Sequence, residues 1–241
     1  YDPSRPVHYE RAIDYADPSK TRYSDIYCPM YFHPISCEKY LTYGFELPLI
    51  QCEYAHSMGN SMGGLKEYMD LVRKYPQYQG GFIWDFVDQS IIRFEPDGRA
   101  TFSYGGSYNK FDPSDGNFNN NGFIAADRSL HPTAYEVGYQ YRSILSSLVE
   151  GTNDKVEIYN ENFFIDLSNY NLSWKLVADN RVIRTGNISN LNVGPQQRVV
   201  VTLPIASEHK NLSGAKEVMI NLEYSLKSAE GILDAGTVLS Y

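Results

Sequence analysis

Three cysteines in 241 residues are too few, and odd in number, for a disulfide framework. Cys28, Cys37 and Cys52 all lie in the first quarter of the chain, and two of them precede or close apolar runs. Buried free thiols are therefore expected rather than a bridge or a metal site. No apolar run approaches the ~20 residues that span a bilayer. The first residues carry no basic stretch followed by an apolar core, so no signal segment is read there. Positive charge is scarce as well: 21 Lys and Arg against 29 Asp and Glu leave a formal charge of −8, with no basic run. That balance argues against nucleic acid and anionic membrane as partners.

Aromatic residues are abundant, with 21 Tyr, 11 Phe and 2 Trp. Sugars stack on aromatic faces, yet Tyr-rich strands are also ordinary sheet surface, so composition leaves the two readings level. The length suits one large or two ordinary domains with ample core. The opening Tyr1-Asp-Pro-Ser-Arg-Pro-Val reads as text from inside a domain, and the expectation is that it continues from a longer protein.

In the first 143 residues, apolar strands alternate with helical patterns. Pro6 to Glu10 and Asp25 to Tyr31 read as short strands bounded by turn residues. Ile35 to Tyr43 suits one or two helical turns. Leu47 to Glu53 is an apolar run closed by a carboxylate and a turn, the pattern of a buried parallel strand whose last side chain emerges at its carboxyl end. Asn60 or Ser61 can cap a helix with apolar positions at Leu65, Tyr68, Met69, Val72 and Tyr75, ended by Pro76. Gly80 to Val87 repeats the strand pattern. Arg93 to Arg128, rich in Gly, Asn, Asp and Ser, reads as one long loop on a site rim. A helix opens at His131-Pro132, with Pro at a first-turn position. These make four strand-helix units. From Ser143 the texture turns to short alternating runs near 155–160, 171–177, 197–203 and 217–224, which fit an immunoglobulin-like β-sandwich. Trp174 falls on one of them as a core residue.

Three blocks carry the chemistry: Cys52-Glu-Tyr-Ala-His-Ser-Met-Gly-Asn60, Gly80-Gly-Phe-Ile-Trp-Asp-Phe-Val-Asp-Gln-Ser90 and Asn121-Gly-Phe-Ile-Ala-Ala-Asp-Arg128. Taken alone, Glu53 is a solvated strand-end acid, His56 a capping or surface histidine, and Trp84 a core residue. Together, in this order and spacing, they closely resemble the large bacterial β-galactosidases of glycoside hydrolase family 2.

The resemblance implies an α/β region followed by an all-β one. Residues 1–143 become the C-terminal half of a TIM (β/α)8 barrel, strands 5 to 8, and residues 144–241 the sandwich. It implies a retaining β-galactosidase with Glu53 as nucleophile, Tyr31 beside it, His56 and Asn121 binding sugar hydroxyls, and Trp84 as the apolar wall for the sugar ring. The acid/base glutamate belongs to the fourth strand, and no residue here matches it, so this chain alone is expected to be inactive. The family binds Na+ and Mg2+. The Phe118 carbonyl and the Asn121 amide oxygen match sodium ligands; the remaining ligands match nothing here, and no metal is expected on this chain by itself. The expected partners are a β-galactoside and a second copy, through the exposed edges of a half-barrel.

Two alternatives remain open at this stage. One is a non-catalytic carbohydrate-binding or scaffolding module. The other is a sister family 2 activity, β-glucuronidase or β-mannosidase, although a glucuronidase needs cations for the uronate and none stands near Glu53, Trp84 or Asn121 in sequence. The compartment, cytoplasm or periplasm of a bacterial parent, is not set by these residues. Asn171, Asn187 and Asn211 begin Asn-x-Ser sequons, which matter only in a glycosylating secretory route.

Overall fold

The computed structural model describes residues 2–21, 23–208 and 212–241, with Arg11 described by its backbone alone. The Asn211 sequon lies outside them. The chain divides into two compact units, Tyr1–Gln140 and Tyr141–Tyr241.

At the centre of the first unit is β1 (Leu49–Tyr54), which pairs in parallel with β2 (Tyr78–Ile83). On its other side β1 meets the segment 27–31 through parallel bridges, Tyr27 to Leu49 and Met30 to Glu53. The Asp25–Tyr31 run expected as a strand is thus in place, but only as bridges. Pro29 has no N–H to give a ladder, which breaks the pairing in its middle.

Two helices flank these strands. The first, α1 (Pro34–Thr42), starts on proline and is followed by Gly44 at φ +89°, a position that favours glycine. The second, α2 (Leu65–Lys74), links β1 to β2 and buries Leu65, Tyr68 and Leu71. Glu67 sits in its first turn and Arg73 and Lys74 in its last, matching the helix dipole. It does not begin at Asn60 or Ser61 as expected: Gly64 at φ +66° turns the chain into it.

Two further expectations are corrected. Pro6–Glu10 is not a strand; a short 3₁₀ turn covers Glu10–Ala12. The stretch read as one long loop contains an antiparallel hairpin, β3 (Ile91–Phe94) and β4 (Ala100–Ser103), and a four-residue helix, α3 (Gly105–Tyr108). Its turn Glu95-Pro-Asp-Gly98 closes with the Gly98 N–H donating to the Glu95 carbonyl at 2.8 Å, a Pro-Asp-Gly turn signal inside a polar stretch. The last helix, α4 (Pro132–Gln140), also starts on proline. The described residues form no closed barrel.

The second unit is β-rich. One sheet has the order β5-β6-β9 (Ile144–Leu148, Lys155–Asn160, Arg198–Thr202), and the other β11-β10-β7-β8 (Val238–Ser240, Val218–Leu226, Tyr170–Ala178, Arg181–Ile188). All the pairings are antiparallel. Along β7 the alternate residues Tyr170, Leu172, Trp174 and Leu176 are buried and join one core with Ile158, Leu167, Leu191 and Leu203. Trp174 is therefore a core side chain. Opposite it stands Gly186 on β8, where a Cβ atom would lie 2.3 Å from the indole ring.

Candidate active site

Glu53 occupies the penultimate position of β1, and its main chain bridges to Met30. The next residue of that segment, Tyr31, donates its N–H to the Glu53 carbonyl at 2.9 Å and its phenol O–H to Glu53 Oε2 at 2.7 Å. Tyr31 stands at φ +53° and Ala55 at φ +48°, so two non-glycine residues in the left-handed region flank the carboxylate. Such backbone conformations are costly, and they persist where the surroundings impose them. Desolvation raises the Tyr31 phenol well above its ordinary pKa; the hydrogen bond to Glu53 and the carboxylate's charge push the same way. Tyr31 is therefore a standing proton donor to the carboxylate.

The His56 ring centroid is 5.9 Å from that of Tyr31 and 6.1 Å from that of Phe118, so His56 contacts both rings, and Tyr31 is the one bonded to Glu53. Trp84 follows directly on β2 and is pinned by its backbone: its N–H donates to the Tyr54 carbonyl at 3.1 Å, and its carbonyl accepts from Ser57 N–H at 2.8 Å. Asn121 enters from the loop after α3. Its carbonyl accepts from Asp85 N–H at 2.7 Å, and its amide nitrogen donates to the Phe118 carbonyl. The structure thus joins Glu53 to Tyr31 directly, His56 to Tyr31 and Phe118 through their rings, and Phe118 to Asn121; Trp84 and Asn121 come in through adjacent backbone positions at the end of β2.

Two acids near these blocks have structural partners. Asp127 caps a turn, accepting from the N–H and O–H of Ser129, which holds its carboxyl below the usual range. Asp85 accepts from Gln89 Nε2 and from the Phe86 N–H. A third acid, Asp88, pairs with His131 at 2.9 Å. That pair and Gly122 escaped the sequence reading. In the sequence His131 reads only as a helix opener, and it lies 43 positions beyond Asp88. The three thiols are free, and burial pushes Cys28 and Cys37 up to about 12.

The Asn121 side-chain oxygen is buried and has no hydrogen-bond partner, while the nitrogen of the same amide donates to the Phe118 carbonyl. An orphaned buried amide oxygen is a donor of the kind a hard cation takes, while the Phe118 carbonyl is engaged here by the Asn121 amide nitrogen. Among the described residues no three His, Cys, Asp or Glu side chains gather as a metal cluster.

Residues 1–145 match the family model described as glycosyl hydrolases family 2, TIM barrel domain, and residues 156–241 match the one described as β-galactosidase, domain 4. The chain belongs to glycosyl hydrolase family 2. Among its curated relatives, a protein named β-galactosidase from Clostridium acetobutylicum is 37% identical over 228 residues, which is 95% of this chain and 24% of that protein. Another of the same name, from Halalkalibacterium halodurans, is 38% identical over 226 residues, 94% of this chain and 21% of that protein. The chain thus spans less than a quarter of the length of these two relatives.

Proposed function

We propose that this chain carries the nucleophile side of a retaining β-galactosidase site, on strands five to eight of a (β/α)8 barrel, followed by an immunoglobulin-like sandwich. The observation that carries this reading is the 2.7 Å hydrogen bond from Tyr31 to Glu53 at the carboxyl end of a parallel strand, where barrel enzymes place their chemistry. The parallel order of the 27–31 segment, β1 and β2 supports the half-barrel. The two antiparallel sheets around the Trp174 core support the sandwich.

In the proposed reaction the Glu53 carboxylate attacks the anomeric carbon and the glycosidic oxygen leaves, giving a galactosyl ester that water later hydrolyses. The donated Tyr31 hydrogen bond keeps the carboxylate oriented before attack and is given up as the ester forms. His56 and Asn121 take sugar hydroxyls, and Trp84 offers its flat face to the ring's C–H side. Phe118 and Asn121 would hold a sodium ion through their oxygens; when bound, the ion supplies positive charge for a sugar hydroxyl. The second carboxyl, which must lie about 5 to 5.5 Å from the first in a retaining enzyme, is supplied from outside these residues, and so this chain by itself does not turn over a nitrophenyl galactoside.

A galactoside that needs no protonation isolates the work of Glu53. Dinitrophenolate departs unaided, so 2,4-dinitrophenyl 2-deoxy-2-fluoro-β-galactoside should leave a fluorogalactosyl group on the peptide that contains Glu53, read by mass spectrometry. Glu53→Gln should take up none. A folded wild-type chain that stays unlabelled, or a label on another carboxylate, overturns the assignment. The edge of β2 away from β1, which pairs with no other named strand among the described residues, supports self-association. Light scattering of a monomer at micromolar concentration would count against it.

A further inference from the structure

The segment 119–124, which brings Asn121 to the end of β2, is held along its length by the residues that follow that strand. Asp85 N–H donates to the Asn121 carbonyl at 2.7 Å and Gln89 N–H to the Asn119 carbonyl at 2.7 Å; Phe123 and Ile124 N–H donate back to the Asp85 and Phe86 carbonyls, each at 3.1 Å. One side chain closes this seam. Asp88 Oδ1 accepts from the Gly122 N–H at 2.8 Å, and Asp88 Oδ2 lies 2.9 Å from His131 Nε2. The Asp88 carboxylate is only 12% exposed, so little water competes for it. His131 is tied to the same segment by its own N–H, which donates to the Phe123 carbonyl at 3.3 Å. The approach is tight: a Cβ atom on Gly122 would lie 2.2 Å from Asp88 N and 2.5 Å from Val87 C. Backbone atoms cannot yield that much room, so only glycine permits the contact.

We infer that Asp88 is a positioning residue: with one carboxylate oxygen on the Gly122 amide and the other on His131, it sets where Asn121 and Trp84 stand. Asn121 is the residue directly before Gly122, and its carbonyl is bonded to the residue directly after Trp84. A shift at Gly122 therefore reaches both sugar-facing candidates through two covalent steps and one hydrogen bond. The consequence for galactoside chemistry rests on the function proposed above; the positioning itself does not. His131 completes the clamp by engaging the oxygen that Gly122 leaves free. Neither side chain touches sugar in this scheme.

The chain has only two tryptophans, Trp84 in the first unit and Trp174 in the core of the second. Biosynthetic 5-fluorotryptophan then gives one 19F resonance per unit, assigned through Trp84→Phe. In Asp88→Ala the Trp84 signal should move or broaden while the Trp174 signal stays, and amides of 119–124 should exchange with deuterium at least tenfold faster. Asp88→Asn retains an acceptor for the Gly122 N–H and should give an intermediate shift and exchange rate; His131→Gln should do likewise. The clamp is overturned if Asp88→Ala leaves both the Trp84 resonance and the 119–124 exchange unchanged. It is overturned equally if Asp88→Asn and His131→Gln both match the wild type, or if unfolding moves both tryptophan signals in all three variants. Labelling at Glu53 by the dinitrophenyl fluorogalactoside should slow at least tenfold in Asp88→Ala. An unlabelled wild type with a Trp84 signal that still responds to Asp88→Ala sinks the galactosidase reading and leaves the clamp standing.

Discussion

The two units use their residues in opposite ways. In the second, β7 and β10 pair over nine consecutive residues without a register shift, and the inward side chains of β7 are nearly inaccessible. In the first, β1 and β2 pair over six residues with two register shifts, and Tyr31 and Ala55 hold left-handed backbone beside the one carboxylate of interest. Even, alternating burial fixes register and gives stability. Irregular pairing re-aims side chains at strand ends, which is where chemistry can be placed. Both units hold non-glycine residues in left-handed backbone, but in the second Asp179, Asn180 and Gln196 stand in turns, whereas in the first Tyr31 and Ala55 stand beside Glu53 at a strand end.

Alkali should separate the two units most strongly. In the first unit, burial raises Cys28 and Cys37 from 9.0 to about 12 and Tyr27 and Tyr68 from 10.0 to about 12. In the second unit Tyr224 rises to about 12, and Tyr170 is raised as well. A raised value means that the folded chain keeps a proton the unfolded chain has already released. The associated stability is whole below pH 9 and drains as the pH climbs towards 12, by up to about 1.4 kcal/mol per pH unit for each such group. With more of these groups, and with thiols that begin to titrate at 9.0, the first unit should unfold at lower urea than the second at pH 11, after smaller differences at pH 8. Fluorotryptophan signals followed through urea titrations report the two separately. Equal displacement of both would remove the contrast.

Core truncation should act the other way. Leu172 is fully buried on β7, so Leu172→Ala should cost about 2–5 kcal/mol through lost transfer energy and a cavity. The loss should appear in the Trp174 signal of a urea melt, with labelling of Glu53 unchanged. At the site, Tyr31→Phe removes the O–H that Glu53 accepts. A hydrogen bond to a charged group is worth about 1.5–3 kcal/mol, so the labelling rate should change by about 10- to 100-fold while both melts move little. A stability loss in place of a rate change would make Tyr31 a packing residue.

Much of this was legible in the residues. The run ending at Glu53 announces a strand because apolar residues, a closing polar group and a turn coincide; the run from Gly80 to Val87 announces β2, although the strand itself lies earlier, at Tyr78–Ile83, and helix α2 announces itself by spacing. The strands at 155–160 and 170–178 follow from alternation. The missed elements are those in which local signals conflict. The hairpin of β3 and β4 lies in a stretch whose Gly, Asn, Asp and Ser content reads as loop, and β8 carries Arg, Thr, Gly and Asn among few apolar residues because its middle only needs to accept the Trp174 ring at Gly186. Pro6–Glu10 looks extended, yet pairing, which no local pattern encodes, decides whether extended chain becomes strand. The same limit hid the Asp88–His131 contact: both residues have ordinary local roles, and only the tertiary path of the chain between these positions, 43 apart, makes them one feature.

The smallest expected effect tests the same division within a single helix. On α2, Lys66 and Asp70 form an ion pair one turn apart, and both side chains are more than half exposed, whereas Tyr68, between them in sequence, is buried and donates its O–H to the Phe32 carbonyl at 2.9 Å. An exposed pair four residues apart is worth about 0.3–0.5 kcal/mol and is screened by salt. Lys66→Ala also gains helix propensity, since alanine is the better former. The two terms nearly cancel, so the Trp84 urea midpoint should stay within error of the wild type, while Tyr68→Ala, which loses an aromatic core contact and the hydrogen bond to Phe32, should cost about 3–5 kcal/mol of stability and lower the midpoint accordingly. If Lys66→Ala were as damaging as Tyr68→Ala, the outer face of α2 would be covered by something other than water, and the boundary between packing surface and solvent in the first unit would have to be redrawn.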